Sequence, residues 1–254
     1  MGVHAVDGAS ITVTEGSITG LIGPNGSGKS TIIDCVSGFQ RRDSGDIIFA
    51  GRDIGGLRPE QIACAGLTRT FQDVRVFDRF SLIENLMVGE EPFEGVGWGG
   101  ALLRTGRFRA AREKAEARAR DLIGIVGLTR LVDAPAAVLS DGQKKLLALA
   151  AALMAEPKLV ILDEPVAGVN PTRINDIVDI IRRLNSAGTS FLIVEHNVEF
   201  ICGLCSHVVV LERGRKLTEG PPDIVHSDPR VLDAYIGVEA GDTQLARHIE
   251  GSVA

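Results

Sequence analysis

A chain of 254 residues, 44% hydrophobic and 24% charged, is long enough to bury a full core as one domain, or one plus a small appendage. Its formal net charge of −6 provides no global basic field for nucleic acid. No apolar run reaches the ~18 residues of a membrane-crossing helix, and the start lacks a basic-then-apolar leader, so the expectation is a cytosolic chain.

In chain order, the opening predicts a strand at Ile11–Val13 and a turn at Glu15-Gly16. The apolar run Ile18 to Ile22 predicts a buried strand. It feeds Gly23-Pro24-Asn25-Gly26-Ser27-Gly28-Lys29-Ser30-Thr31, a match to G-x-x-x-x-G-K-S. The glycines let successive N–H groups turn inward as an anion nest. Lys29 supplies a point charge for outer phosphates, and the Ser30 hydroxyl suits Mg²⁺. Ser30 to Ser37 continues as a helix with Ile32, Ile33 and Val36 on one face, closed by Gly38. Strand, glycine-rich loop and helix start together make a triphosphate site.

Asp43-Ser44-Gly45 reads as a turn, Asp46 to Ala50 as a strand and Gly51-Arg52-Asp53 as another turn, giving an antiparallel patch beside a parallel sheet. The chain then passes Thr70-Phe71-Gln72 into a helix start at Leu82 to Val88. Glu94 to Gly100 is glycine-rich and carries Trp98, either a plain loop residue or a partner anchor. Arg104 to Arg120 reads as a solvated helix face leading into Leu122, Ile123, Ile125 and Val126.

Ser140 and Gln143 have the spacing of a capping box before an apolar helix from about Lys144 to Ala155. The remaining N–H groups of that helix start would favour an anion. Leu159 to Leu162 is the continuous apolar run of a strand buried on both faces, ending in Asp163-Glu164. A carboxylate at the C-terminal end of a parallel strand lies at the ligand edge, on the Mg²⁺ side of a phosphate loop. Pro171 opens a helix with Ile174, Ile177, Val178, Ile181 and Leu184 at helical spacing. Ser190 to Val194 is another buried strand, followed by Glu195-His196-Asn197. His207 to Leu211, a turn at Arg213-Gly214 and Arg215 to Thr218 form a hairpin. Pro221-Pro222 precedes a short helical end to Ile236, and residues from Val238 onward read as a mobile tail. Cys202-Gly-Leu-Cys205 beside His207 superficially resembles half a zinc site or a redox pair. With no second pair, the reading is two core thiols.

With these motifs in this order, the chain resembles the nucleotide-binding subunit of ATP-binding cassette (ABC) transporters. The resemblance rests on the phosphate loop, Leu139-Ser140-Asp141-Gly142-Gln143, the Leu159 to Glu164 run and the lone His196. It implies an α/β fold, a P-loop NTPase (RecA-like) parallel-sheet core with an antiparallel β subdomain and an inserted helical subdomain. Residues 1–237 would form the ATPase domain, with 1–88 and 156–237 as core and 89–155 as the helical signature subdomain. ATP and Mg²⁺ are the implied ligands. Gly23 to Thr31 would cradle the phosphates, with Ser30, Gln72 and Asp163 serving the metal. Glu164 matches the base that polarises water, His196 the switch on the γ-phosphate, and Gln72 the sensor of the membrane partner. Ser140, Gly142 and Gln143 match the signature that closes over ATP held by an opposing subunit. The implied partners are a second ATPase subunit, identical or not, and transmembrane permeases, with a solute-binding protein acting indirectly. The place of work is the cytoplasmic face of the membrane.

Ala167-Gly168-Val169-Asn170-Pro171, the Glu90 to Arg109 insertion and Leu232 to Gly237 are similar to the branched-chain amino acid importer branch. Urea and amide importers share much of this pattern, and the lipopolysaccharide-export ATPase shares less. Asp141 stands where the usual signature has glycine, and Asn170 where most members carry aspartate. The family's adenine-stacking aromatic would lie just before the Gly2–Val6 stretch, so either the true start lies upstream, or His4 or a partner substitutes, or nucleotide binding is weak. A DNA- or ribosome-acting ABC ATPase would bring a long coiled coil or a second cassette. A soluble P-loop kinase would not explain Leu139 to Gln143 or His196.

Overall fold

The computed structural model describes residues 4–72, 76–88 and 106–235. Its strands are β1 (Ile18–Ile22), β2 (Ile48–Phe49), β3 (Arg52–Asp53), β4 (Leu67–Arg69), β5 (Leu159–Asp163), β6 (Ser190–Val194), β7 (His207–Glu212) and β8 (Arg215–Gly220). Its helices are α1 (Lys29–Val36), α2 (Pro59–Cys64), α3 (Leu82–Val88), α4 (Gly106–Ile125), α5 (Asp141–Ala152), α6 (Pro171–Ser186), α7 (Val198–Leu204) and α8 (Pro222–His226). Residues 229–235 are also helical. Trp98 and its glycine-rich surroundings, Ile236-Gly237 and the expected tail lie outside the described residues. No described helix is long and apolar enough to cross a membrane.

Two compact units divide the chain, one from residues up to Ile62 together with those from Ser190 onward, the other Ala63–Thr189. In the first, β1 lies between β6 and β7, parallel to both, and β8 closes the far side antiparallel to β7. Every residue of β1 and β6 is buried, including the polar Thr19 and Ser190, as in strands covered on both faces. The register Ile22↔Val210 sets the C-terminal end of β1 beside β7, and the phosphate loop leaves there.

Sequence and structure part company around β2 and β3. The expected strand Asp46–Ala50 shrinks to Ile48–Phe49, and two of the three residues of the expected turn Gly51–Asp53 are strand. The turn residues are Ala50 and Gly51, with φ of +48° and +77°. Two positive φ values give the primed turn whose twist matches a tight hairpin, so the reversal comes one residue early. The expected strand Ile11–Val13 does not form. Its side chains alternate in burial, but alternation makes a strand only when a neighbour completes the ladder.

In the second unit β4 and β5 pair in parallel, Leu67 opposite Leu159 and Arg69 opposite Ile161. Leu159, Val160, Ile161 and Leu162 are all buried, each worth ~1.5–3 kcal/mol against exposure. α6 turns Ile177, Ile180, Ile181 and Leu184 inward. α4 exposes Arg112, Glu113, Lys114, Arg120 and Asp121 and buries Ala115, Ala119, Leu122 and Ile123. Arg118 of α4 donates to Met154 O at 2.9 Å and Leu153 O at 2.7 Å, binding carbonyls just past the end of α5. α5 begins at Asp141, earlier than the expected Lys144, because the cap at Ser140 starts it there. It ends at Ala152 rather than Ala155.

Candidate functional site

The phosphate loop belongs to the first unit. An added Cβ on Gly23 would lie 2.2 Å from Leu211 O, and one on Gly28 would lie 2.4 Å from Ala5 O, at φ of +151° and +99°. Only glycine fits either place. Gly28 is the N-cap of α1 and supplies no side-chain cap, so the first-turn N–H groups are left to an anion. Lys29 folds over the loop, its Nζ donating to Gly23 O at 2.7 Å and Pro24 O at 3.0 Å. Ser27 is buried, while Asn25, Gly26 and Ser30 are exposed at the loop's rim. Behind the loop, burial pushes the Tyr235 phenol up and the nearby Gly23 N–H offsets part of this, without the two reaching good hydrogen-bond geometry.

His196 is in the same unit, its side chain 62% exposed. Two fixed elements present it. Glu195, only 1% exposed, accepts the N–H groups of His196 and Asn197 at 3.1 and 3.4 Å. Asn197 in turn caps α7 through Phe200 N at 3.0 Å. His4 is exposed in the opening segment.

The second unit carries the acidic group. Asp163 ends β5, its N–H donating to Thr70 Oγ1 at 3.4 Å and its Oδ2 accepting from Arg69 Nη2 at 2.9 Å. Glu164 follows with φ of +49°, a left-handed conformation that costs a non-glycine residue ~1–3 kcal/mol and clusters at functional sites. Gln72 Nε2 donates to Glu164 Oε2 at 2.8 Å. Lys145 of α5 donates to Glu164 O at 2.7 Å and Ala167 O at 2.6 Å, tying the turn after β5 to this helix. The structure therefore brings Gln72, Asp163 and Glu164 together.

At the start of α5 both halves of the capping box form. Gln143 N donates to Ser140 Oγ at 3.4 Å, and Ser140 N donates to Gln143 Oε1 at 3.0 Å. Ser140 and Asp141 are exposed. Asp141 lies in the first turn, where the helix dipole favours a carboxylate.

Residues missed by sequence reasoning support these groups. A second capping box, Ser81 with Glu84, starts α3 at 2.8 and 3.2 Å; its S-x-x-E spacing was there to be found. Buried Asn85 organises the preceding loop, accepting from Phe77 N at 2.7 Å and donating to Ser81 O at 2.9 Å. That loop is bonded to the segment before Ser140, Ala136 N to Phe80 O at 2.9 Å, and to the first turn of α5, Lys144 Nζ to Asp78 Oδ1 at 3.0 Å. Arg69, Lys145 and Glu195 gave no motif-level signal, because each acts through a partner far away in sequence or through its own turn.

A family model described as ABC transporter matches residues 6–167. The chain belongs to the ABC transporter family. It is an ATP-binding, ATP-hydrolysing cassette with the P-loop NTPase α/β core. A relative of this ABC ATPase from Archaeoglobus fulgidus, a probable branched-chain amino acid transport ATP-binding protein, is 36% identical over 96% of this chain and 93% of its own. The high-affinity branched-chain amino acid transport ATP-binding protein of Pseudomonas aeruginosa is 34% identical over 93% of each chain. Among solved structures, a nucleotide-free ATP-binding cassette from an ABC transporter matches with a TM-score of 0.79 at 35% identity, covering 91% of this ABC ATPase and 92% of that chain. An ATP-binding cassette in its ADP conformation matches at 0.78 and 35% identity, covering 92% of each.

Proposed function

We propose that this ABC ATPase powers an importer for branched-chain or other hydrophobic amino acids from the cytoplasmic face of the membrane. The observation that carries the solute class is the naming of relatives matched across more than nine-tenths of both chains. In this reading, Gly23 to Thr31 hold the phosphates through backbone N–H groups, and Lys29 gives up its carbonyl partners for phosphate oxygens. Ser30, Asp163 and the Gln72 amide offer only oxygen donors, which fits the hard cation Mg²⁺. Mg²⁺, when bound, would neutralise charge on the phosphate oxygens. Glu164 accepts the proton of the attacking water while Gln72 holds its carboxylate in place, and His196 donates toward the γ-phosphate.

Ser140, Gly142 and Gln143 serve a second ATPase subunit. An added Cβ at Gly142 would meet nothing closer than Val169 Cγ1 at 3.6 Å, so the chain's own packing does not require glycine there. A helical glycine nevertheless costs ~1 kcal/mol against alanine, which makes sense if another molecule needs the room. The membrane partners dock near the Phe77–Phe80 loop. Those rings stack with centroids 5.2 Å apart yet are 52% and 42% exposed, an apolar investment suited to burial by a partner. A neighbouring groove of about 370 Å³ is lined by Ser81, Met87, Arg112 and Asp133, among others.

Reconstitution of the chain with its co-purifying permeases in liposomes tests this. ATP-dependent uptake of leucine, isoleucine or valine is expected, whereas uptake of urea or short amides alone would overturn the solute assignment.

A further inference from the structure

The Asp163 carboxylate is already engaged by a cation. Arg69 Nη2 is 2.9 Å from Asp163 Oδ2, and the two side chains are only 9% and 12% exposed. The strand pair fixes both partners, since Arg69 faces Ile161 in register and Asp163 follows two residues on. The Arg69 guanidinium also lies over the Phe71 ring, 5.2 Å from its centroid. This offers it a second favourable contact that does not involve the carboxylate.

A carboxylate this sheltered from water is costly to leave alone. A guanidinium and a divalent cation on one carboxylate repel each other. We propose that Arg69 is a resident counter-ion that holds Asp163 while no metal is bound, and releases it toward the Phe71 face when Asp163 turns to a metal. The inference rests on the Mg²⁺ reading above. Arg69 acts through Asp163 and is a positioning residue. By linkage, the free energy of the Arg69–Asp163 bond is subtracted from what the metal adds to nucleotide affinity. An arginine that merely oriented Asp163 for the metal would have the opposite sign.

The test uses the full chain and a fluorescent, non-hydrolysable ATP analogue, with affinities measured in Mg²⁺ and in EDTA. Arg69→Gln should raise the ratio of the two affinities roughly fivefold or more, the low end of ordinary couplings. Arg69→Lys, which keeps the charge, should stay near wild type. A ratio unchanged or lowered in Arg69→Gln overturns the proposal. Should Arg69→Gln fail to fold, the wild type still answers through NMR of its arginine Nε–H groups. The Arg69 signal, identified by its loss in Arg69→Lys, should shift when Mg²⁺ joins the nucleotide-saturated protein; a stationary signal overturns the proposal. If wild type binds no analogue in either condition, the nucleotide reading itself is overturned. That outcome is distinct because both affinities vanish instead of their ratio staying flat.

Discussion

Glu164 is the residue to which the proposal above gives the base role. It is held at φ +49°, its carboxylate gripped by Gln72 and its carbonyl by Lys145. Removing the charge while keeping the shape should leave nucleotide affinity intact and cut turnover by ~10²–10⁴-fold, the usual worth of a general base. Steady-state phosphate release from Glu164→Gln, beside its ATP affinity, makes the check; retained turnover would remove Glu164 from the role. Cys205 is an opposite case, a group kept chemically silent. Burial, with Cys202 adding a smaller push, raises its thiol to about 12, so almost no thiolate exists at neutral pH. Alkylation of the native protein should therefore modify exposed Cys64 and spare Cys205. Rapid labelling of Cys205 would revive the redox-pair reading. At the hairpin of the first unit, the Arg42 fork, helped by the Gly55 N–H, lowers Asp53 to about 2. A carboxyl depressed in the folded state stabilises above its unfolded value of ~3.9 and loses that effect as pH falls through the folded value. The stability gap between wild type and Asp53→Asn should thus be present at neutral pH, shrink below about pH 4, and close near pH 2. The pair is solvent-exposed, so added salt should narrow the gap at every pH.

Among elements, the phosphate loop separates conformational from steric demand. Gly23→Ala drives a methyl to within 2.2 Å of Leu211 O, combining a left-handed penalty with backbone overlap, for about 2–5 kcal/mol. Gly26→Ala, at φ +78° with nothing within 4 Å, meets the conformational penalty alone, about 1–2 kcal/mol. Urea unfolding of the nucleotide-free variants should rank them in that order, and equal losses would contradict it. Much at this scale was legible in advance. β1, β5 and β6 announce themselves because strands buried on both faces are rich in apolar residues with no polar alternation, and the box at Ser140 because two side chains three apart close on each other's backbone. The short pieces were not legible. β4 and α2 contain too few residues for a period to emerge, and the β2–β3 hairpin turns on Ala50 adopting a positive φ that alanine seldom takes. Of the candidate site, the residues on local motifs could be read, whereas Arg69 and Lys145 take their place from contacts 94 and 19 residues away in sequence.

For the whole molecule, the unresolved economy is that the cradle and the Ser140 helix start each look half used. Lys29 turns back on the loop's own carbonyls, and at the capped start of α5 Ser140 and Asp141 are exposed while Gly142 has room for a side-chain carbon it does not carry. Both are accounted for if ATP is held between two ATPase subunits, the cradle of one meeting the Ser140 end of the other. Light-induced cleavage of the vanadate-trapped ATPase, run in the assembled transporter and mapped by mass spectrometry, reads which backbone lies against the γ-phosphate position. The account predicts cuts within residues 23–31 and also at 140–143. Cuts confined to 23–31 would contradict it.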